Sequence, residues 1–211
     1  MKTFKPIILL LIMLFATACS SDDDSATVTD PVVSQRFSNL HAPQTGGQGQ
    51  PVGGTFTKFD FSTGQITTSE TEWDIAFRGT TIAINGGSVT GTKDEPLRNG
   101  NVAALLMTDT FNDVKEVPET SEFLQDSDGA FAIPTGSGNG WYNYNFQTNI
   151  VSPIAGKILV FRTRNNRYAK LEILSYYKDA PTSPDPTLNE GRYYTFNYVY
   201  NPNEGDKNLE L

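Results

Sequence analysis

The stretch from Arg192 to Tyr200 alternates strictly, and it constrains the fold more than any other part of the sequence. Tyr194, Phe196, Tyr198 and Tyr200 share one parity, so four aromatic rings lie on one face of an extended strand. Period-two alternation of this kind is typical of a strand with one buried face. The sequence therefore predicts a β-sheet that carries an aromatic face.

A second alternating stretch lies near the middle of the chain. In Trp73–Arg78 the large apolar residues Trp73, Ile75 and Phe77 share one parity. A short apolar run, Ile82–Ile84, follows almost directly, and two strands separated by so few residues form a hairpin. We therefore expect a β-hairpin with a buried Trp73.

The remaining folded segments also favour strands. Lys157–Arg164 and Arg167–Tyr177 are separated by Asn165-Asn166, and asparagine tolerates the positive φ of a tight two-residue turn. Val102–Met107 suits a buried strand or a short helix, and Asp113–Gln125 could hold one or two helical turns. With 18 glycines and 12 prolines, the chain is predicted to be a single all-β domain, an antiparallel sheet or sandwich with long loops and little helix.

The first residues predict export and lipid anchoring. Basic residues precede the apolar run Ile8–Phe15, and small residues lead to Cys19, which is the pattern of a secretory signal over residues 1–18. The site resembles the lipobox of bacterial lipoproteins, in which Cys19 would be acylated. Because Cys19 is the only cysteine, the chain can form no internal disulfide.

Residues 19–53 are predicted to be a flexible tether, and residues 54–211 the folded domain. Ser20–Ser25 is acidic, and Pro43–Gly54 is rich in Gly, Gln and Pro, so neither can bury a core. An acidic stretch after an acylated cysteine resembles the surface-export signal of Bacteroidetes lipoproteins. The stretch is either such a signal or a solvated spacer, so the face of the membrane stays open. We expect a lipid-anchored outer-membrane protein with the only histidine, His41, in its tether.

Charge and residue content argue against nucleic-acid binding and against most catalytic mechanisms. The net charge of −8 becomes −10 when Lys2 and Lys5 are removed with the signal, and phosphate would repel such a chain. The predicted domain has no histidine or cysteine, so it offers no Ser–His–Asp relay, Cys–His pair or imidazole metal cluster. We expect no enzyme, and a hydrolase that uses a carboxylate pair ranks last.

Aromatic residues are the main chemical resource of the domain. Trp141, Tyr142, Tyr144 and Phe146 directly follow a long loop that is rich in glycine near its end, Gln125–Gly140. Two interpretations stay open, since these rings either fill a β-core or form a flat pocket for a planar ligand.

Five segments, in order, resemble the HmuY family of Bacteroidetes lipoproteins. They are Trp73–Arg78, Trp141–Tyr144, Lys157–Thr163, Tyr168–Tyr177 and Tyr193–Tyr200. The resemblance covers most of the chain from Gly54 to Tyr200. It implies an all-β lipoprotein at the outer membrane that binds haem and passes it to a TonB-dependent receptor.

The resemblance also implies axial haem ligands that this chain lacks. Such relatives hold the iron between two histidines or two methionines, whereas residues 54–200 contain no histidine and one methionine, Met107. Where relatives carry a histidine after the Trp-Tyr-x-Tyr motif, this chain has Asn149. Bis-His and bis-Met ligation are therefore excluded within the predicted domain. A single ligand stays open, either Met107 or a phenolate from Tyr142 or Tyr144.

The sequence thus predicts a lipid-anchored, non-enzymatic haem-binding protein that captures haem for a TonB-dependent receptor. Haem could also bind through aromatic contacts alone, without a strong axial ligand. The alternative function is a surface interaction module that uses the same scaffold for another small planar ligand or for a protein partner.

The predicted anchor can be tested by the substitution Cys19→Ala. One acyl chain binds membranes only marginally, so stable attachment depends on the several chains that a lipoprotein cysteine receives. We expect Cys19→Ala to move the protein from the membrane fraction to the soluble fraction, while Ser20→Ala leaves it membrane-bound. Retention of the Cys19→Ala protein in the membrane without a partner would contradict the lipobox prediction.

Overall fold

The computed structural model describes residues 29–47, 49–119 and 122–211, and these residues form an antiparallel β-fold. The predicted signal peptide and Cys19 lie outside the described residues. The strands are β1 (Val33–His41), β2 (Thr45–Gly47), β3 (Gln50–Gly53), β4 (Thr57–Asp60), β5 (Gln65–Thr67), β6 (Ile75–Arg78), β7 (Thr81–Ile84), β8 (Ala103–Thr108), β9 (Tyr142–Asn145), β10 (Ile150–Pro153), β11 (Lys157–Arg162), β12 (Tyr168–Tyr177) and β13 (Gly191–Asn201). Within the described ranges, no helix has the length and hydrophobicity to cross a membrane.

The larger sheet has five strands in the order β1-β13-β12-β11-β8. Every neighbouring pair is antiparallel, so the prediction of an all-β, antiparallel domain is confirmed. The four aromatic residues of β13 that share one parity are all buried. On the opposite parity Val199 packs with Ile158 and Val160 in an outer cluster, so the sheet is covered on both faces.

The smaller sheet has four strands in the order β5-β4-β6-β7. Strands β6 and β7 form the predicted hairpin, with Arg78 paired to Thr81 across Gly79-Thr80. Gly79 has φ +54°, and a Cβ at this position would collide with the side chain of Gln44. The positive φ therefore favours glycine at the tip of the hairpin, and any larger residue would also displace the end of the Gln44 side chain.

The two sheets pack against each other through aromatic rings. Phe59 of β4 meets Phe196 of β13 edge-on at 5.4 Å between ring centroids, and Phe77 of β6 lies 4.8 Å from Tyr194 of β13. Aromatic pairs favour such edge-on and tilted arrangements. The core of the molecule is therefore the layer between the sheets.

A buried arginine ties the β11–β12 turn to the smaller sheet. Arg164 is 2.9 Å from Asp60 and 3.0 Å from Asp74. Burial of Asp60 opposes its ionisation, but hydrogen bonds from Arg164 and Ser62 outweigh this effect, so the pKa of Asp60 is lowered. The predicted two-residue turn is wrong by one residue: the loop is Arg164–Asn166, closed by the hydrogen bond from Asn166 to Thr163, and only Asn166 has a positive φ, 54°.

Trp73 is fully buried, as predicted, but it does not share a face with Ile75 and Phe77. Strand β6 begins only at Ile75, and a bend at Asp74 breaks the parity. Trp73 therefore packs in a separate cluster with Phe56, Ala76 and Ala83.

Residues 33–53, which we predict to be part of a tether, contain three strands in the structure. Strand β1 pairs with β13 along its length, and β2 pairs with β3. The sequence hides β1 because an irregularity between Phe37 and Leu40 shifts the pairing register, so the apolar residues do not alternate. In the described residues of Asp113–Gln125, Glu116 and Leu124 form isolated bridges. The amide of Glu122 donates to the carbonyl of Glu119, which makes a single 3-10-type turn.

Removal of the Trp73 ring should destabilise the fold. We expect Trp73→Ala to lower the free energy of unfolding by about 3–5 kcal/mol, because a large cavity remains in a packed cluster. Phe146→Ala is the matched control, since Phe146 is 78% exposed and should change stability little. Equal effects of the two substitutions in denaturant titrations would contradict the burial of Trp73.

Candidate functional site

A groove of about 600 Å³ lies at one end of the molecule. Its walls come from the β9–β10 hairpin, the end of β12, the β12–β13 loop and the paired ends of β1 and β13. The lining residues are His41, Asn149, Val151, Tyr176, Tyr177, Pro186, Asn189, Glu190, Gly191, Arg192 and Tyr193. This volume falls within the range of small-molecule sites, roughly 300–1,000 Å³.

The wall nearest the core is fixed by aromatic side chains that bind the β6–β7 turn. The indole N–H of Trp141 donates to the carbonyl of Thr80 at 3.0 Å, and the hydroxyl of Tyr194 donates to the carbonyl of Gly79 at 2.8 Å. Both rings are buried. The hairpin predicted from Trp73–Ile84 thus anchors the base of the site.

Tyr176 and Tyr177 form the end of β12 beside the groove. Their rings are edge-on, with centroids 5.8 Å apart, and the amide of Val151 donates to the Tyr177 hydroxyl at 3.1 Å. This bond holds β10 against β12. Burial raises the pKa of Tyr176 to about 12, so its phenol stays neutral at physiological pH.

His41 lies at the groove and not in a tether. It is the last residue of β1 and pairs with Tyr193 of β13, and the two rings stack at 4.5 Å between centroids with 13° between their planes. The imidazole is exposed. The structure therefore brings one exposed imidazole beside one partly exposed tyrosine ring, over which the Lys178 ammonium also lies, 5.5 Å from the ring centroid.

The predicted ligand residues do not converge. Tyr144 is 43% exposed, and its hydroxyl donates at 2.7 Å to Asn149, which lines the groove. Tyr142 is 8% exposed, and its hydroxyl accepts a hydrogen bond from Thr80 at 3.2 Å. Met107 packs in the outer cluster on the far face of the larger sheet, so it cannot share a site with either tyrosine.

The metal-binding capacity of this end of the molecule is limited. The described part of the chain contains no group of three or more His, Cys, Asp or Glu side chains that could hold a metal ion. The groove offers one imidazole, phenols and aromatic faces. Such a set could hold a planar group through stacking and supply one axial ligand to its metal.

Sequence reasoning misses the groove because its residues come from distant segments. Tyr176, Tyr177 and Tyr193 stand out as aromatic residues, but only the pairing of β1 with β13 brings His41 beside them. The apolar residues Phe37 and Leu40 could have indicated this strand, because they share one face if a bulge lies between them. His41 would then follow at the end of the strand.

The fold and the groove define an antiparallel β-protein with two main sheets, the two-stranded pairs β2–β3 and β9–β10, and an aromatic site at one end. Residues 54–198 match the HmuY protein family, which is more than half of the chain. The chain therefore belongs to the HmuY family, as its sequence motifs indicate.

Three solved structures are similar over most of this chain. The apo HmuY analogue of Tannerella forsythia is 11% identical with a TM-score of 0.49, covering 83% of this chain and 99% of that one. A candidate lipoprotein of Bacteroides fragilis is 15% identical with a TM-score of 0.45, covering 82% and 92%. A candidate HmuY-like haem-binding protein of Bacteroides vulgatus is 13% identical with a TM-score of 0.46, covering 82% and 93%. A comparison with curated proteins finds no match.

The Tyr177 hydroxyl should stabilise the groove wall. We expect Tyr177→Phe to lower the free energy of unfolding by roughly 1 kcal/mol and to speed hydrogen exchange at the Val151 amide, because that amide loses its acceptor. Tyr144→Phe is the control, since its hydroxyl bonds only to exposed Asn149. Unchanged exchange at Val151 in Tyr177→Phe would show that the hydroxyl does not hold β10.

Proposed function

We propose that this protein is an outer-membrane lipoprotein that binds haem in the groove and delivers it to a TonB-dependent receptor. Acylated Cys19 would provide the anchor. The proposal includes no enzymatic step. The observation that carries it is the aromatic groove in a member of the HmuY family.

The lining of the groove supports a planar ligand that has apolar faces and polar edges. Tyr176, Tyr177 and Tyr193 give it aromatic walls, and aromatic rings contribute large contact areas to flat ligands. The stacked pair of His41 and Tyr193 adds an accessible imidazole, which is a common axial ligand of haem iron.

His41 is the axial ligand that the groove favours, with the phenol of Tyr144 as the second choice. The hydroxyl of Tyr144 donates a hydrogen bond to Asn149, which lines the groove. Tyr142 would need to leave its contact with Thr80 and a buried position before it could bind iron. Met107 would need a separate site at the outer cluster, so it is the least favoured of the predicted ligands.

A second function, an interaction module for a protein partner, is favoured by two exposed apolar side chains. Phe146 at the β9–β10 turn is 78% exposed, and Leu188 in the β12–β13 loop is 81% exposed. The hairpin and the loop that carry these two side chains also supply the groove residues Asn149 and Glu190, and a contiguous apolar patch there would mark a contact surface. The same residues could serve receptor contact after haem capture.

Haem titration of the Ser20–Leu211 chain tests the proposal, and this chain retains every strand pairing. We expect saturable binding without a bis-histidine spectrum, since His41 is the only histidine. His41→Ala should weaken binding by roughly tenfold or more, a loss of about 1.4 kcal/mol, and should change the absorption spectrum. Leu97→Ala is the control, because Leu97 is exposed and does not line the groove.

Oxidation state separates the remaining ligands. A thioether prefers ferrous iron, so Met107 ligation would give tighter binding after reduction, whereas a Tyr142 or Tyr144 phenolate would favour ferric haem. Tyr→Phe substitutions then identify the tyrosine. The absence of saturable binding in both oxidation states would contradict haem binding and leave the interaction module as the better account.

A further inference from the structure

Arg192 gives the groove a positive charge. It lines the groove, and its guanidinium makes no ion pair within residues 29–47, 49–119 and 122–211. The carboxylate of Glu190, which also lines the groove, pairs with Lys178 at 3.2 Å. Glu190 thus has an exposed lysine as its partner, whereas the guanidinium of Arg192 has no carboxylate partner among these residues and can meet one on a ligand.

The position of this guanidinium is fixed by hydrogen bonds at both ends of the residue. The carbonyl of Arg192 accepts from the amide of Ala42 at 2.8 Å. One guanidinium nitrogen, Nη1, donates to the carbonyl of Gln44, also at 2.8 Å. A guanidinium has five N–H donors in a planar fork, so donors remain for a carboxylate, whose two oxygens match the fork.

The backbone of Arg192 is in a conformation that an arginine rarely adopts. Its φ is +68°, in the left-handed region where a residue other than glycine costs about 1–3 kcal/mol. Glycine would satisfy the same turn at the start of β13 without this cost. The fold thus gives no backbone reason for an arginine here, and strained residues of this kind cluster at ligand sites.

We infer that Arg192 binds a carboxylate of the ligand, so that the groove selects planar molecules with an acidic edge. This inference rests on the proposed function, because haem carries two propionate groups. The protein has a net charge of −8, and its overall field repels an anionic ligand. A local cation is therefore needed to hold the acidic edge against that repulsion.

Iron protoporphyrin IX and its dimethyl ester, titrated in the same detergent, test the inference. The ester keeps the ring and the iron but removes both negative charges. Wild-type protein should bind the free acid at least about tenfold more tightly than the ester, as expected for a charge-assisted hydrogen bond. Arg192→Gly, which suits the positive φ, should fold and lose this preference, while Arg192→Lys should keep part of it.

Two results would overturn the inference but leave haem binding intact. These are equal affinity of the wild-type protein for the acid and the ester, and an unchanged preference in a folded Arg192→Gly protein. If Arg192→Gly does not fold, the comparison of acid with ester on the wild-type protein still decides. Failure of both porphyrins to bind would instead contradict the proposed function, and with it the inference.

Discussion

The contact between the aromatic face of β13 and the smaller sheet supports the rest of the structure. Phe196 lies 5.4 Å from Phe59 and 5.9 Å from Phe77, so one ring touches two strands of the opposite sheet. Strand β13 is also paired on both sides, with β1 and with β12. Because one strand provides both the backbone pairing and the interlayer contact, the two sheets and the N-terminal strand depend on it together.

The same strand connects the core with the groove. Tyr194 packs against Phe77 and donates to the β6–β7 turn, while the preceding residues, Arg192 and Tyr193, face the groove. The groove lies where the central strand β13 begins, so the packed core supports one of its sides. The β9–β10 hairpin and the β12–β13 loop form the other side. Rigid support of this kind keeps aromatic groups in place for a ligand.

Sequence reasoning predicts the parts of the fold that follow strict alternation. The aromatic parity of β13 and the β6–β7 hairpin are confirmed, because a period of two is read directly from the sequence. Strand β1 is missed because a bulge interrupts the period, and Trp73 is assigned to the wrong face because a bend precedes β6. The groove depends on pairing between residues about 150 positions apart, and local patterns do not encode such pairing.

The central claim is that haem binds between β9–β10, β12 and the paired ends of β1 and β13. The most direct measurement is an NMR spectrum of the ¹⁵N-labelled Ser20–Leu211 chain with and without ferric haem, whose unpaired electrons broaden nearby amide signals. The claim predicts selective broadening at His41, Asn149, Tyr177 and Tyr193, with sharp signals around Met107. Broadening centred on Met107 and the outer cluster, or no selective broadening at all, would contradict it.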